Sequence, residues 1–207
     1  MIPVNVLAVR YLASATDTLC KELGAPEGFP CLGLITTDCD DATYIALDEA
    51  TKAAEVQVCF GASFYAGAAN ASTPNAGEVL GILCATTPGA VRSGMEAALG
   101  ALERIGFEST GEVPYLAYTV SSCGSFLAKE AGVTEGSSLA YLIGPPLESM
   151  YGLDFALKAA DVKLCKLYTP PSPTNFGGGL LTGTRSACAA ACSAFAEAVA
   201  EVAQRPK

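Results

Sequence analysis

Histidine and tryptophan are both missing from the 207 residues. Without histidine the commonest general base, metal ligand and triad member is gone, so any catalytic reading falls to carboxylates and thiols. Basic residues are scarce as well: 12 Lys and Arg stand against 21 Asp and Glu, giving a net charge of −9. A phosphate-binding surface needs clustered cations, so nucleic acid is excluded as a partner and a cationic small molecule is the more natural visitor. Uninterrupted apolar runs such as Val79 to Ala85 fall far short of the roughly 20 residues that cross a bilayer. The amino terminus lacks a basic-then-apolar signal pattern, and no membrane partner is expected. Charged residues make up only 16% of the chain while 51% are hydrophobic. Ordinary domains carry roughly 25% charge, so much of this surface is expected to lie against other subunits.

Cysteine, by contrast, is plentiful. Nine are present, at positions 20, 31, 39, 59, 84, 123, 165, 188 and 192, an odd number with no Cys-x-x-Cys spacing. Most sit inside apolar strands and helices and read as reduced core residues. Cys188 and Cys192 are spaced to share a helix face. With no histidine and no second pair beside them, they read as part of a core stripe, and neither a metal nor a cofactor is expected.

The chain repeats itself. Lys21-Glu22-Leu23-Gly24-Ala25-Pro26-Glu27-Gly28 returns as Lys129-Glu130-Ala131-Gly132-Val133-Thr134-Glu135-Gly136, an offset of 129 − 21 = 108. Asp48-Glu49-Ala50-Thr51-Lys52-Ala53-Ala54-Glu55-Val56 returns as Asp154-Phe155-Ala156-Leu157-Lys158-Ala159-Ala160-Asp161-Val162, an offset of 158 − 52 = 106. Two near-equal offsets place one unit twice in tandem, with domains expected at 1–108 and 109–207.

Within the first copy, Val4 to Leu12 reads as a strand and Asp17 to Leu23 as a short helix ending at Gly24, where glycine suits a left-handed cap. A buried strand is expected over Cys31 to Thr37, a helix over Tyr44 to Ala54, and strands over Glu55 to Phe60 and Gly77 to Ala85. Thr87 and Pro88 supply a cap and a first-turn proline to a helix with Val91, Met95, Leu99 and Leu102 on one face. The second copy repeats the order with strands near Tyr115–Val120, Leu139–Gly144, Asp161–Tyr168 and Gly179–Thr182. Its last helix starts at Thr184 and aligns Cys188, Cys192, Phe195, Val199 and Val202. A polar segment between Gly106 and Gly111 joins the copies. The expected fold is α/β (α+β), each copy a mostly antiparallel sheet covered by helices.

The helix-to-strand segments Asp48 to Val58 and Asp154 to Leu164, each with a Lys-Ala-Ala-acid-Val core, resemble the signature helix of bacterial microcompartment shell domains. Each copy opens with the strand and helix that close the usual domain of that family, which is its circularly permuted form. Leu32 to Asp41, Phe64 to Ala68, Ala76 to Val79, Ala140 to Glu148 and Pro171 to Phe176 extend the likeness to the tandem, ethanolamine-utilisation type of these shell domains. The resemblance implies a structural, non-enzymatic protein in the cytoplasm, at the shell. It implies a homotrimer whose six domains mimic a hexagon and tile with other shell proteins. Lys52 and Lys158 match the family's tile-edge lysine. The loops 61–76 and 169–178, where the copies diverge, match segments that open and close a central pore. A second opening between the two domains is implied, lined by Asp40, Asp41, Tyr65, Glu78, Thr174, Asn175 and Phe176. Carboxylates beside aromatic faces there would hold the ammonium of a small cationic or polar metabolite such as ethanolamine.

Two other readings compete. Asp38-Cys39-Asp40 after an apolar strand resembles the opening of a magnesium-dependent phosphatase, but Ala42 stands where that pattern needs Thr or Val and no later acidic pair follows. A ligand-sensing trimer that does not tile also fits the repeat.

Overall fold

The computed structural model describes residues 1–64, 77–170 and 172–207. Its contacts divide into two units: an N-terminal unit of Pro3–Ile105 with Gly124–Phe126, and a C-terminal unit of Met1–Ile2, Gly106–Cys123 and Leu127–Lys207. Both are antiparallel sheets covered by helices, the mixed α/β class expected from the sequence.

The N-terminal unit runs β1 (Val6–Leu12), α1 (Asp17–Glu22), β2 (Cys31–Thr37), α2 (Asp40–Ala53), β3 (Gln57–Ser63), β4 (Val79–Ala85) and α3 (Pro88–Leu102). The strand order is β1-β2-β4-β3, every pair antiparallel. The central strands β2 and β4 are apolar at almost every position because both of their faces are covered. Gly33 and Gly81 meet Val91, Met95 and Leu47 on the side of α2 and α3. Leu32, Ile82 and Cys84 cluster with Cys20 of α1 and with Phe29 on the other side. The Thr87 hydroxyl accepts the Ala90 N–H, and Pro88 opens α3 as expected. The buried stripe of α3 is Val91, Gly94, Met95, Ala98, Ala101 and Leu102, and Leu99 lies beside it, only partly buried. Small residues hold this stripe because the helix approaches Val56 and Leu83 closely at Gly94.

The C-terminal unit runs β5 (Glu108–Thr110), β6 (Val113–Val120), α4 (Ser125–Ala131), β7 (Ser138–Gly144), α5 (Pro146–Ala159), β8 (Val162–Tyr168), β9 (Gly177–Gly183) and α6 (Arg185–Gln204). The first residues of α4 are counted in the other unit. The sheet order is β5-β6-β7-β9-β8, again antiparallel. The polar join of the two copies is itself a hairpin: β5 pairs with β6 around Gly111, whose φ of +60° suits a residue without Cβ. Thr184 caps α6, and Cys188, Ala191, Cys192, Phe195 and Val199 are buried against the sheet. By length and composition α6 is apolar enough to cross a membrane, which a search for uninterrupted apolar runs passes over. Its buried stripe marks it as the core helix of this unit.

Backbone details recur between the copies. Gly24 (φ +74°) and Gly132 (φ +65°) end the two short helices, 132 − 24 = 108 residues apart. The ladders β3–β4 and β8–β9 each shift register at one place, between Val58 and Phe60 and between Leu164 and Lys166. The residues skipped are Cys59 and Cys165, 165 − 59 = 106 apart.

Candidate functional site

In the N-terminal unit the site grows from the junction of β2 and α2. β2 delivers Thr37, whose buried hydroxyl bonds the Thr43 hydroxyl at 2.7 Å, donates to the Cys39 carbonyl at 2.9 Å and accepts the Cys39 N–H at 3.1 Å. This small network turns the chain sharply and starts α2 at Asp40, a turn earlier than the sequence indicates. The Asp-Cys-Asp-Asp-Ala-Thr run looks like polar loop, yet carboxylates in a first helical turn meet the positive end of the helix dipole. Asp40 and Asp41 are thereby both buried, at 6% and 8% exposure. Glu78 sits at the head of β4, donating its N–H to the Thr37 carbonyl at 2.8 Å and accepting the Phe64 N–H on its own carbonyl at 2.9 Å.

Three expected site residues, Asp40, Asp41 and Glu78, thus share one end of the N-terminal sheet, and the carboxylates feel one another. Burial, then the charges of Asp40 and Asp38, push Glu78 up to about 7 from an ordinary 4.5. Burial also raises Asp40, against hydrogen bonds from Ser63 and the local backbone that favour its ionised form. The Cys39 thiol is pushed up by burial first and then by the surrounding carboxylates, which leaves it unreactive as a nucleophile. Asp38, the fourth acid, accepts from Asn5 through both backbone N–H (2.8 Å) and side-chain amide (2.6 Å). Asp38, Asn5 and Ser63 complete this constellation and were not among the expected residues. The acidic run flagged Asp38, but no local signal links Asn5 to it across 33 positions.

A raised carboxyl pKa has a consequence for stability. The folded chain holds the Glu78 proton more tightly than the unfolded chain does, so this contribution is full below about pH 4.5 and is lost as pH rises through about 7. Thermal denaturation should show Glu78→Gln and wild type alike near about pH 5 and the variant more stable near about pH 8. Identical pH profiles would mean that Glu78 is not held in this way.

In the C-terminal unit, Ser172, Pro173, Thr174 and Asn175 form the tight turn before β9, and Phe176 follows it directly. The Asn175 N–H donates to the Ser172 carbonyl at 3.1 Å, and the Ser172 hydroxyl donates to the Phe176 carbonyl at 2.7 Å. Asn175 has φ +63°, a left-handed conformation that asparagine tolerates better than most residues. The Phe176 ring meets Phe107 edge-on at 5.6 Å. Tyr65 and most of the loop 61–76 lie outside the described residues, as does Pro171. Lys52 and Lys158 end α2 and α5, each exposed and paired within its own helix, with Glu49 and Asp154. Among the described residues no group of His, Cys, Asp or Glu is arranged to hold a metal, and the first turn of α2 presents buried carboxylates without the later acidic pair that a phosphatase needs.

Comparison with known proteins matches a model described as the BMC domain over residues 31–113. The bacterial microcompartment shell protein EutL of Clostridium perfringens is 54% identical, with 100% of this chain and 97% of that relative covered. The EutL shell protein of Escherichia coli K12 is 46% identical, with 100% and 96% covered. The crystal structure of ethanolamine utilization protein EutL from Leptotrichia buccalis superposes with a TM-score of 0.96 at 56% identity, covering 99% of this chain and 96% of the other.

Proposed function

The chain belongs to the EutL family of bacterial microcompartment shell proteins, structural rather than enzymatic, and on that premise we propose how it builds the shell and what it lets through. Three copies form a ring of six domains that tiles with other shell proteins around enzymes in the cytoplasm. Lys52 and Lys158 serve at the tile edge. The loops 61–76 and 169–178 open and close a central passage, and the site containing Asp40, Asp41, Tyr65, Glu78, Thr174, Asn175 and Phe176 holds a small ammonium-bearing metabolite such as ethanolamine on its way.

The observation that carries the metabolite reading is the carboxylate constellation at the β2–α2 junction, where burial first and the neighbouring acids second raise Glu78 to about 7. A crowd of acids that repel one another is relieved by a cation. Each charged contact is worth about 1–2 kcal/mol when partly desolvated, weak enough to let the passenger leave again.

Calorimetric titration with ethanolamine tests it. Affinity should rise between about pH 6 and about pH 8 as Glu78 ionises. Asp41→Asn and Glu78→Gln should each weaken binding about tenfold, Glu78→Gln also flattening the pH dependence. Equal affinity in all three proteins would remove the site. For the assembly, a solution mass of three 21.0 kDa chains and hexagonally ordered sheets in electron micrographs are expected. Discrete trimers that never form sheets would favour a ligand sensor instead.

A further inference from the structure

Three thiols of the N-terminal unit meet where α1 covers its sheet. Cys84 of β4 is completely buried and Cys20 of α1 nearly so, in one apolar cluster with Leu32 and Ile82. Cys59 of β3 packs against that cluster and stays partly exposed. Its place in the ladder is unusual. Gln57 stands opposite Cys84 and Val58 opposite Leu83, but the next rung joins Phe60 to Ile82, so Cys59 is the extra residue of a bulge. A bulged residue is released from the ladder, and its side chain can meet neighbours that a regular strand holds apart.

The neighbour it meets is Cys84. The Cys84 thiol donates to the Cys59 sulfur, and the Cys59 thiol in turn donates to the Ile82 carbonyl at 3.5 Å. The bond from Cys84 outweighs burial and, with the N–H groups of Cys59 and Phe60, lowers the Cys59 pKa. Cys84 is raised as the donor of that bond and then by its burial. One thiol is thereby reachable and readily ionised, the other enclosed and protonated beside it.

The fold does not require this pairing. In the C-terminal unit the bulge recurs at Cys165, but the residue opposite Lys163, in the place of Cys84, is Thr182. Cys20 is matched at the repeat offset of 108 by Ala128. Cys165 bonds the Lys163 carbonyl instead. A cysteine at the bulge belongs to both copies, and a thiol bonded to it belongs to one.

We propose that Cys59 and Cys84 are a reversible redox pair that closes into a disulfide across β3 and β4 when a peroxide reaches the chain. The Cys59 thiolate attacks a peroxide oxygen, the O–O bond breaks, and hydroxide leaves as water once protonated, with a sulfenic acid left on Cys59. The Cys84 sulfur then attacks the Cys59 sulfur. The S–S bond forms, the S–O bond breaks, and hydroxide departs with the Cys84 proton as water. Two thiols give up two electrons and hydrogen peroxide becomes two waters. In the reducing cytoplasm the pair rests as thiols, and exchange with a thiol reductant restores it. The bond ties down β3, an edge strand paired with β4 alone.

The test treats the folded, fully reduced chain with hydrogen peroxide, alkylates the remaining thiols and maps the peptides by mass spectrometry. Two of the nine thiols should be lost, in a peptide joining Cys59 to Cys84, and dithiothreitol should return both. With Cys84→Ala the loss should fall to one thiol, held at Cys59 as a sulfenic acid that dimedone captures. Cys165, the same bulge without the second thiol, should enter no bridge within the chain. Cys59 left reduced, Cys59 oxidised without a bridge in the wild type, a bridge seen only after unfolding, or bridges at Cys165 as frequent as at Cys59 would each overturn the proposal. The wild-type map decides the matter even where the variant fails to fold.

Discussion

Asp48→Ala is expected to cost the fold about 2–4 kcal/mol, because it strips a buried N–H of a charged acceptor and leaves a hole where a carboxylate was. Asp48 is completely buried, and its carboxylate takes the Gly124 N–H at 2.7 Å. Gly124 has no alternative position, since its Cα already lies so near Asp48 and Thr51 that a Cβ would collide with both. The twin Asp154 is exposed and pairs with Lys158 on its own helix, so Asp154→Ala should cost the folded chain less than about 1 kcal/mol. Denaturant unfolding of the two variants in dilute solution measures this asymmetry. Equal losses would show that the Asp48 contact does not hold the N-terminal unit together, and Asp48→Asn, which keeps an acceptor, should recover part of the loss.

Phe195→Ala should cost still more, about 3–5 kcal/mol, the range for truncating a fully buried aromatic. Phe195 is completely buried at the centre of the C-terminal core with Leu142, Leu153, Leu181 and Val199. Its ring fills the groove of α5 at Gly152, where a Cβ would meet it at 2.7 Å. For a chain of this length each kcal/mol lowers the thermal midpoint by about 2–4 °C, so a fall of roughly 6–20 °C is expected. A shift of only a degree or two would mean that the core relaxes around the gap. Phe195→Leu, which keeps most of the volume, should show a much smaller shift.

Both predictions draw on features the sequence discloses unevenly. The core strands were legible because a strand covered on both faces needs apolar residues throughout: Cys31–Thr37 was placed to the residue. The caps were legible because threonine before proline or before an alanine-rich run leaves little choice, as at Thr87 and Thr184. The first turn of α2 was not, since its backbone is anchored by the hydroxyls of Thr37 and Thr43 on the Cys39 main chain, a network that no local pattern discloses. The hairpin β5–β6 was also missed, because its three-residue first strand is too short to show alternation. Of the site, Asp40, Asp41 and Glu78 were identified through resemblance. Their nearness to one another depends on β4 returning beside β2, a long-range pairing that local pattern cannot reveal. The partnership of Asn5 with Asp38 depends on β1 lying along β2 for the same reason.

The two copies part company at the first turn of their matching helices, Asp40-Asp41 in one and Pro146-Leu147 in the other. A unit used in identical copies would carry the same charge at this turn in every copy. Because the two copies in this chain are free to differ, the adjacent acids Asp40 and Asp41 are confined to one of them, while the other opens its helix on proline and leucine with Glu148 as the acid of that turn.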